Sequence, residues 1–257
     1  MLTIRREQME ALEDAQRHQF ALEIVEHLRS YSPTHAARIG DPALYQVARS
    51  GLARAEQYGF TLRGPVRLFI ELMVLLGSYF DTDPQYPWAG KILNDRSTSD
   101  EMTRANLLQE QAVKFYDTVL GPDYQYEHAA IRCLRAEDFE GFPELDAMPF
   151  RSELLRRLGT IYPEKANYVG PASLAILLDN ATQLANYYSM ETPAGVALVT
   201  ALGFALGYRC DIDPQFPWIA HDLALRAVEH PIQLMARVRG DFLAFLRYGS
   251  THNGASS

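Results

Sequence analysis

Shifted against itself by 130 residues, this chain repeats. Asp81-Thr82-Asp83-Pro84-Gln85-Tyr86-Pro87-Trp88 falls on Asp211-Ile212-Asp213-Pro214-Gln215-Phe216-Pro217-Trp218, with six of the eight positions identical and an aromatic ring kept at Tyr86/Phe216. The same offset holds upstream without a gap. It pairs Gly77 with Gly207, Leu72 with Leu202, Val66 with Val196, Tyr58 with Tyr188, Gly40 with Gly170, Pro33 with Pro163 and Phe20 with Phe150. Residues 20–89 against 150–219 give 20 identities in 70 positions, a register held too long for chance. Self-similarity at a fixed spacing predicts one structural unit present twice. The division expected is 1–118 for a first unit with its N-terminal helix, 119–149 for a connector and 150–248 for the second unit. The small, polar residues 249–257 are expected to be a disordered tail.

The unit reads as helical. Ile4, Met9, Leu12, Phe20, Ile24, Val25 and Leu28 recur mostly at spacings of three and four, which makes one apolar stripe over about 4–30. Pro33 should end that helix. Asp41-Pro42 is placed to cap and open the next, through Leu44, Val47, Leu52 and Ala55 to Tyr58-Gly59. A third helix, Val66 to about Tyr79, carries the run Leu68 to Leu76, apolar almost all round, and so belongs at the centre of the unit. Its counterpart runs from Val196 to Leu206, with Gly195, Gly203 and Gly207 small enough for close backbone approach. Alternating strand patterns are nearly absent. The expected fold is all-α, two tandem copies of a multi-helix unit.

Three readings of the doubled D-x-D-P-Q-aromatic-P-W element compete. In the first it is a helix boundary, with Asp83 and Asp213 as N-caps, Pro84 and Pro214 in the first helical position, and Trp88 and Trp218 turned back on the core. In the second, Asp81/Asp83 and Asp211/Asp213 are paired carboxylates for a hard cation or for acid–base work. The third makes Tyr86, Trp88, Phe216 and Trp218 exposed anchors for a partner chain, since aromatic side chains concentrate at interface centres. The calcium-loop version of the second reading lacks the further oxygen ligands it needs, and no metal site is expected.

Other chemistry is thin. With Lys+Arg 24 against Asp+Glu 32 the net charge is −8, which argues against a bulk grip on nucleic-acid phosphates. The seven histidines show no H-x-x-x-H or H-E-x-x-H spacing. The two cysteines, Cys133 and Cys210, are far apart, so neither a disulfide framework nor a thiolate zinc site is expected, and a reducing cytoplasm fits. Cys210 reads as a buried apolar thiol. Glu127-His128 beside Tyr124 and Tyr126 is either a small polar site or connector surface. No nucleophile elbow, P-loop or dinucleotide fingerprint occurs. Neither a signal peptide nor a membrane span is expected.

Ile4-Arg5-Arg6-Glu7-Gln8-Met9, Arg54-Ala55 followed by Tyr58-Gly59-Phe60, and Phe80-Asp81-x-Asp83-Pro84 with Pro87-Trp88-Ala89 resemble motifs of a family of small helical bacterial proteins. Those proteins are encoded beside type VI secretion spike, PAAR and toxin-effector genes. The resemblance covers mainly residues 1–95. The second copy departs from it: Arg63-Gly64-Pro65 becomes Pro193-Ala194-Gly195, and Arg54-Ala55 becomes Leu184-Ala185. The resemblance implies a cytoplasmic accessory role around secreted toxins, and it carries over no catalytic residue.

The expected function is therefore a non-enzymatic, protein-binding accessory protein without a cofactor, an effector-loading adaptor, chaperone or immunity protein. Its partner would be a toxin effector or a secretion spike component, and the oligomeric state is not legible. The alternatives are an enzyme or co-delivered effector with an Asp-based site between the repeats, and a helical scaffold.

Overall fold

The computed structural model describes residues 6–95, 97, 100–143 and 148–248, and among these every regular element is helical. The N-terminal half holds α1 (Arg6–Tyr31), α2 (Pro33–Gln57), α3 (Arg63–Leu76), α4 (Pro87–Leu93) and α5 (Glu101–Phe115). A π-helical turn, Tyr116–Leu120, and a 3-10 turn, Pro122–Tyr124, lead to α6 (Gln125–Ala136). The C-terminal half holds α7 (Met148–Ile161), α8 (Pro163–Val169), α9 (Pro171–Tyr187), α10 (Pro193–Leu206), α11 (Pro217–Ala224) and α12 (Pro231–Tyr248). The stretch 119–149, expected to be a plain connector, thus contributes a helix of its own. The expected tail lies outside the described residues.

Pro33 does separate the first two helices, since α1 stops at Tyr31. The Asp41 cap is not formed. Helix α2 begins at Pro33 itself and kinks at Gly40, whose φ is +78°, and the Asp41 carboxylate instead accepts from Arg29 Nε at 3.1 Å and Nη2 at 2.5 Å. Gly170, 130 residues on, has the same φ and separates α8 from α9. The break is therefore a feature of both halves, drawn as one bent helix in the first and as two in the second.

One hydrophobic cluster runs from Ala21 to Leu246. Helix α10 lies deepest, burying every residue from Gly195 to Phe204. Its lone hydroxyl there, Thr200 Oγ1, donates to the Val196 carbonyl at 2.6 Å and so leaves no polar orphan. Helix α3 buries one side through Val66, Phe69, Ile70, Leu72, Met73 and Leu76, while Glu71 meets His27 Nε2 at 2.5 Å across from α1. Both central helices start earlier than expected, and α3 stops at Leu76 rather than near Tyr79 because Gly77 leaves helical geometry.

One buried polar residue works against the packing. Asp222 of α11 stands where the N-terminal half has Ile92, and it lies against Asp241 of α12. Burial and the second acid push its carboxyl up to about 6. A folded-state value above the unfolded one means that its contribution is most favourable below the unfolded value, about pH 4, and is lost as pH rises through about 6. Asp222→Asn should therefore raise stability by about 1 kcal/mol at pH 7.5, solvent screening included, and by nothing measurable below about pH 4. Urea unfolding at both pH values checks this.

Candidate functional site

The two acidic corners meet. Helices α3 and α10 end side by side at Gly77 and Gly207, with φ of +100° and +102°. A Cβ on Gly77 would come 2.9 Å from the Leu206 carbonyl oxygen, and one on Gly207 would come 2.7 Å from that of Leu76. Just beyond this crossing, each half reaches into the other. The Ser78 N–H and hydroxyl donate to the Asp213 carboxylate at 2.7 and 2.6 Å, and the Tyr208 N–H donates to Asp83 at 2.7 Å. Gln85 Nε2 donates to the Gly203 carbonyl at 3.0 Å, and Gln215 Nε2 to the Met73 carbonyl at 2.8 Å, so each amide covers the last turn of the other half's central helix.

These contacts correct the expected cap. Asp83 and Asp213 accept from the N–H of Gln85 and Gln215, two residues on, but α4 and α11 begin only at Pro87 and Pro217. Pro84 and Pro214 lie in the preceding turn. Exposed by only 3% and 2%, Asp83 and Asp213 serve the junction rather than a helix start. Burial pushes Asp83 up to about 6 despite its amide donors, and Asp213 moves up for the same reason. A neutral His35, held down to about 4 by burial, adds a donor: Nε2 sits 2.9 Å from Gln215 Oε1.

The outer aspartates are met within their own halves. Asp81 accepts from Arg54 and, at 2.8 Å, from the Tyr58 hydroxyl. Asp211 accepts from the Tyr188 hydroxyl at 3.1 Å and from Arg209 Nε at 3.3 Å. Tyr86 and Phe216 are buried, edge-on to Phe115 of α5 and Phe245 of α12 respectively. They are core residues, so the exposed-anchor reading does not apply to them. Trp88 and Trp218 are partly buried against the same cluster. Among the described residues no three His, Cys, Asp or Glu side chains converge as a metal site. Cys210 is buried, and burial drives its thiol well up, which makes it a poor nucleophile.

Where the halves differ, a groove opens. It has a volume of about 400 Å³, and Leu177, Ala181, Leu184 and Tyr188 of α9, Gly203 of α10 and the corner Tyr208–Ile212 wall it. In the N-terminal half the equivalent space is filled. Met73, fully buried, stands where the second half has Gly203, and Arg54 stands where it has Leu184. Two shortened side chains thus leave a hollow beside the buried Asp211. Its rim is apolar and open: Tyr187 is 64% exposed and Ile212 is 44% exposed. Arg209, one of the residues that line the hollow, is held at φ +59°. That left-handed backbone costs a non-glycine residue about 1 kcal/mol and is the kind of strain that concentrates at binding sites.

No family model, curated protein or solved structure matches the chain. Of the groove's wall residues, only Asp211 was a candidate site residue in the sequence; Leu184, Tyr188, Gly203 and Cys210 were read there as repeat or packing positions. The signal was the loss of bulk at two aligned positions, Met73 to Gly203 and Arg54 to Leu184.

Proposed function

We propose that this chain is a duplicated helical unit whose second copy has diverged into a docking site for another protein, a toxin effector or a secretion spike component. Duplication is supported by the 130-residue register and by the reciprocal hydrogen bonds of Ser78 with Asp213, Tyr208 with Asp83, Gln85 with Gly203 and Gln215 with Met73. The acidic corners then belong to the skeleton that joins the copies. The single observation that carries the binding role is the groove. Its volume of about 400 Å³ falls in the range of pockets that take one large side chain or a short segment, and an exposed Tyr187 and Ile212 frame it. Such a hollow beside exposed apolar groups suits a partner's anchor residue.

The role would be that of an adaptor, chaperone or immunity protein acting in the cytoplasm. Among the described residues no helix is long and apolar enough to cross a membrane. The acidic balance suits a basic partner, because complementary charge speeds encounter. The test is affinity capture from the native host at low salt with three proteins: the parent, Gly203→Met, which refills the groove as Met73 does, and Ile212→Asp at the rim. The parent should retain a toxin or spike protein, and both variants should retain at least about tenfold less while melting within a few degrees of it. Equal capture by all three, or a parent that stays a clean monomer, would overturn the docking role.

A further inference from the structure

Most arginines of this acidic chain whose side chains are described are occupied. Arg17, Arg29, Arg54, Arg63, Arg67, Arg151, Arg156, Arg157, Arg209 and Arg237 meet carboxylates. Arg104 and Arg239 donate to backbone carbonyls, and Arg38 and Arg226 lie over aromatic rings. Among the described side chains four have no such partner: Arg49, Arg132, Arg135 and Arg247. Three of those four line one hollow, of about 290 Å³, together with Ala136 and Leu243.

The hollow is built by two facing helix stripes. Arg132, Arg135 and Ala136 fall at i, i+3 and i+4 on α6, and Arg239, Leu243 and Arg247 fall at steps of four on α12. Arg239 donates to the Glu137 carbonyl at 3.1 Å just past the end of α6, which fixes the two helices against each other. Favourable placement of a cation at a helix C-terminus accounts for Arg135 and Arg247 taken singly. It does not account for both ends turning their arginines into one concavity with a third beside them and no carboxylate among the described lining residues. Three like charges converging without a counter-ion repel one another, and a bound anion would relieve that repulsion.

We propose that this hollow binds a di- or triphosphate group. Each guanidinium is a planar fork that donates two parallel N–H bonds, and the fork matches the oxygens of a phosphate. A single carboxylate would engage one fork and leave two charges facing each other. A pyrophosphate group brings about three negative charges, which matches the three arginines and fits the volume. The apolar floor of Ala136 and Leu243 leaves the charges as the determinants of binding. The site lies on α6 and α12, apart from the α9–α10 groove, and does not depend on what occupies that groove.

Sodium pyrophosphate titrated calorimetrically into the full chain at about 20 mM NaCl tests the proposal. Expected is one saturable site with a dissociation constant below about 1 mM, weakened at least about tenfold by raising NaCl to about 300 mM. Arg132→Gln combined with Arg135→Gln, and separately Arg247→Gln, should each weaken it at least about tenfold, whereas Arg49→Gln should leave it unchanged. Circular dichroism melts confirm that the variants fold, and the two independent sets keep the test open if one does not. No saturable heat up to about 5 mM, or equal binding by the arginine variants, would overturn the site. A hexaglutamate peptide that binds as tightly as pyrophosphate would overturn the phosphate assignment and give the hollow to an acidic protein segment.

Discussion

Gly207→Ala is expected to lower the melting temperature by about 10–15 °C, which corresponds to a loss of about 3–5 kcal/mol for a chain of this size. Two costs combine. The backbone at Gly207, φ +102° and ψ 163°, lies in a region that only glycine populates, so alanine adds strain of about 1–3 kcal/mol. The new methyl would then sit 2.7 Å from the Leu76 carbonyl oxygen and would have to push apart two central helices, an overpacking cost of about 1–3 kcal/mol. Relief by movement is poor, because separating the helices also stretches the hydrogen bonds of Ser78 to Asp213 and Tyr208 to Asp83. Gly77→Ala should lose a similar amount, since its methyl would meet Leu206 O at 2.9 Å. Gly240→Ala in α12, where a Cβ meets nothing within 4 Å, is the control, and it should be neutral or gain up to about 1 kcal/mol. Thermal and urea unfolding of the three variants decide the matter. A Gly207→Ala protein melting within two degrees of the parent would mean that the crossing is not tightly made.

How far the sequence reached follows from which interactions are local. Periods of three and four residues, helix-terminating glycines and Pro33 are read within one turn, and the all-helical class came from these. The corner was found because it is doubled, but the cap assigned to its inner aspartates was wrong. A cap is the local use of an aspartate, whereas the partners of Asp83 and Asp213 lie 125 and 135 residues away. No spacing rule pairs Asp83 with the amide of Tyr208. Likewise, Tyr86 and Phe216 looked like anchors by residue type, yet α5 and α12 fold over them and bring Phe115 and Phe245 into T-shaped contact with them. The groove was in principle legible, because comparing aligned positions for lost volume singles out Gly203 and Leu184. The arginine hollow was not, since it depends on α12 returning to α6 across more than a hundred residues.

Lys165→Met is expected to stabilise the protein by about 2 kcal/mol at pH 7, or about 4–8 °C in melting temperature. Lys165 is buried in α8 at the position aligned with His35, and its Nζ donates to the Phe204 carbonyl at 2.6 Å near the end of α10. The ammonium also faces the rings of Phe204 and Tyr86, at 5.3 and 5.9 Å. Burial outweighs the support of Asp83 and Glu127 and holds this amine down at about 8 against its usual 10.5. The sign follows directly. Between pH 8 and 10.5 the unfolded chain keeps a proton that the folded chain has shed, so stability from this group rises with pH across that window, by about 3 kcal/mol in full. At pH 7 that amount is a standing cost. Methionine removes it and keeps the apolar stem, at the expense of one hydrogen bond to the Phe204 carbonyl, about 1 kcal/mol. The N-terminal half already holds the neutral solution, since His35 carries no charge there and satisfies Gln215, whereas Gln85 Oε1 has no donor. Urea unfolding of parent and variant at pH 7, 8, 9 and 10 separates this titration from the others, because only the difference between the two proteins is read. The difference should shrink steadily above pH 8 and fall to about zero by pH 10, where the remaining cost of the shifted amine and the lysine's hydrogen bond offset each other. A variant less stable at pH 7, with a difference flat in pH, would mean that Asp83 and Glu127 hold the ammonium as a net stabilising centre.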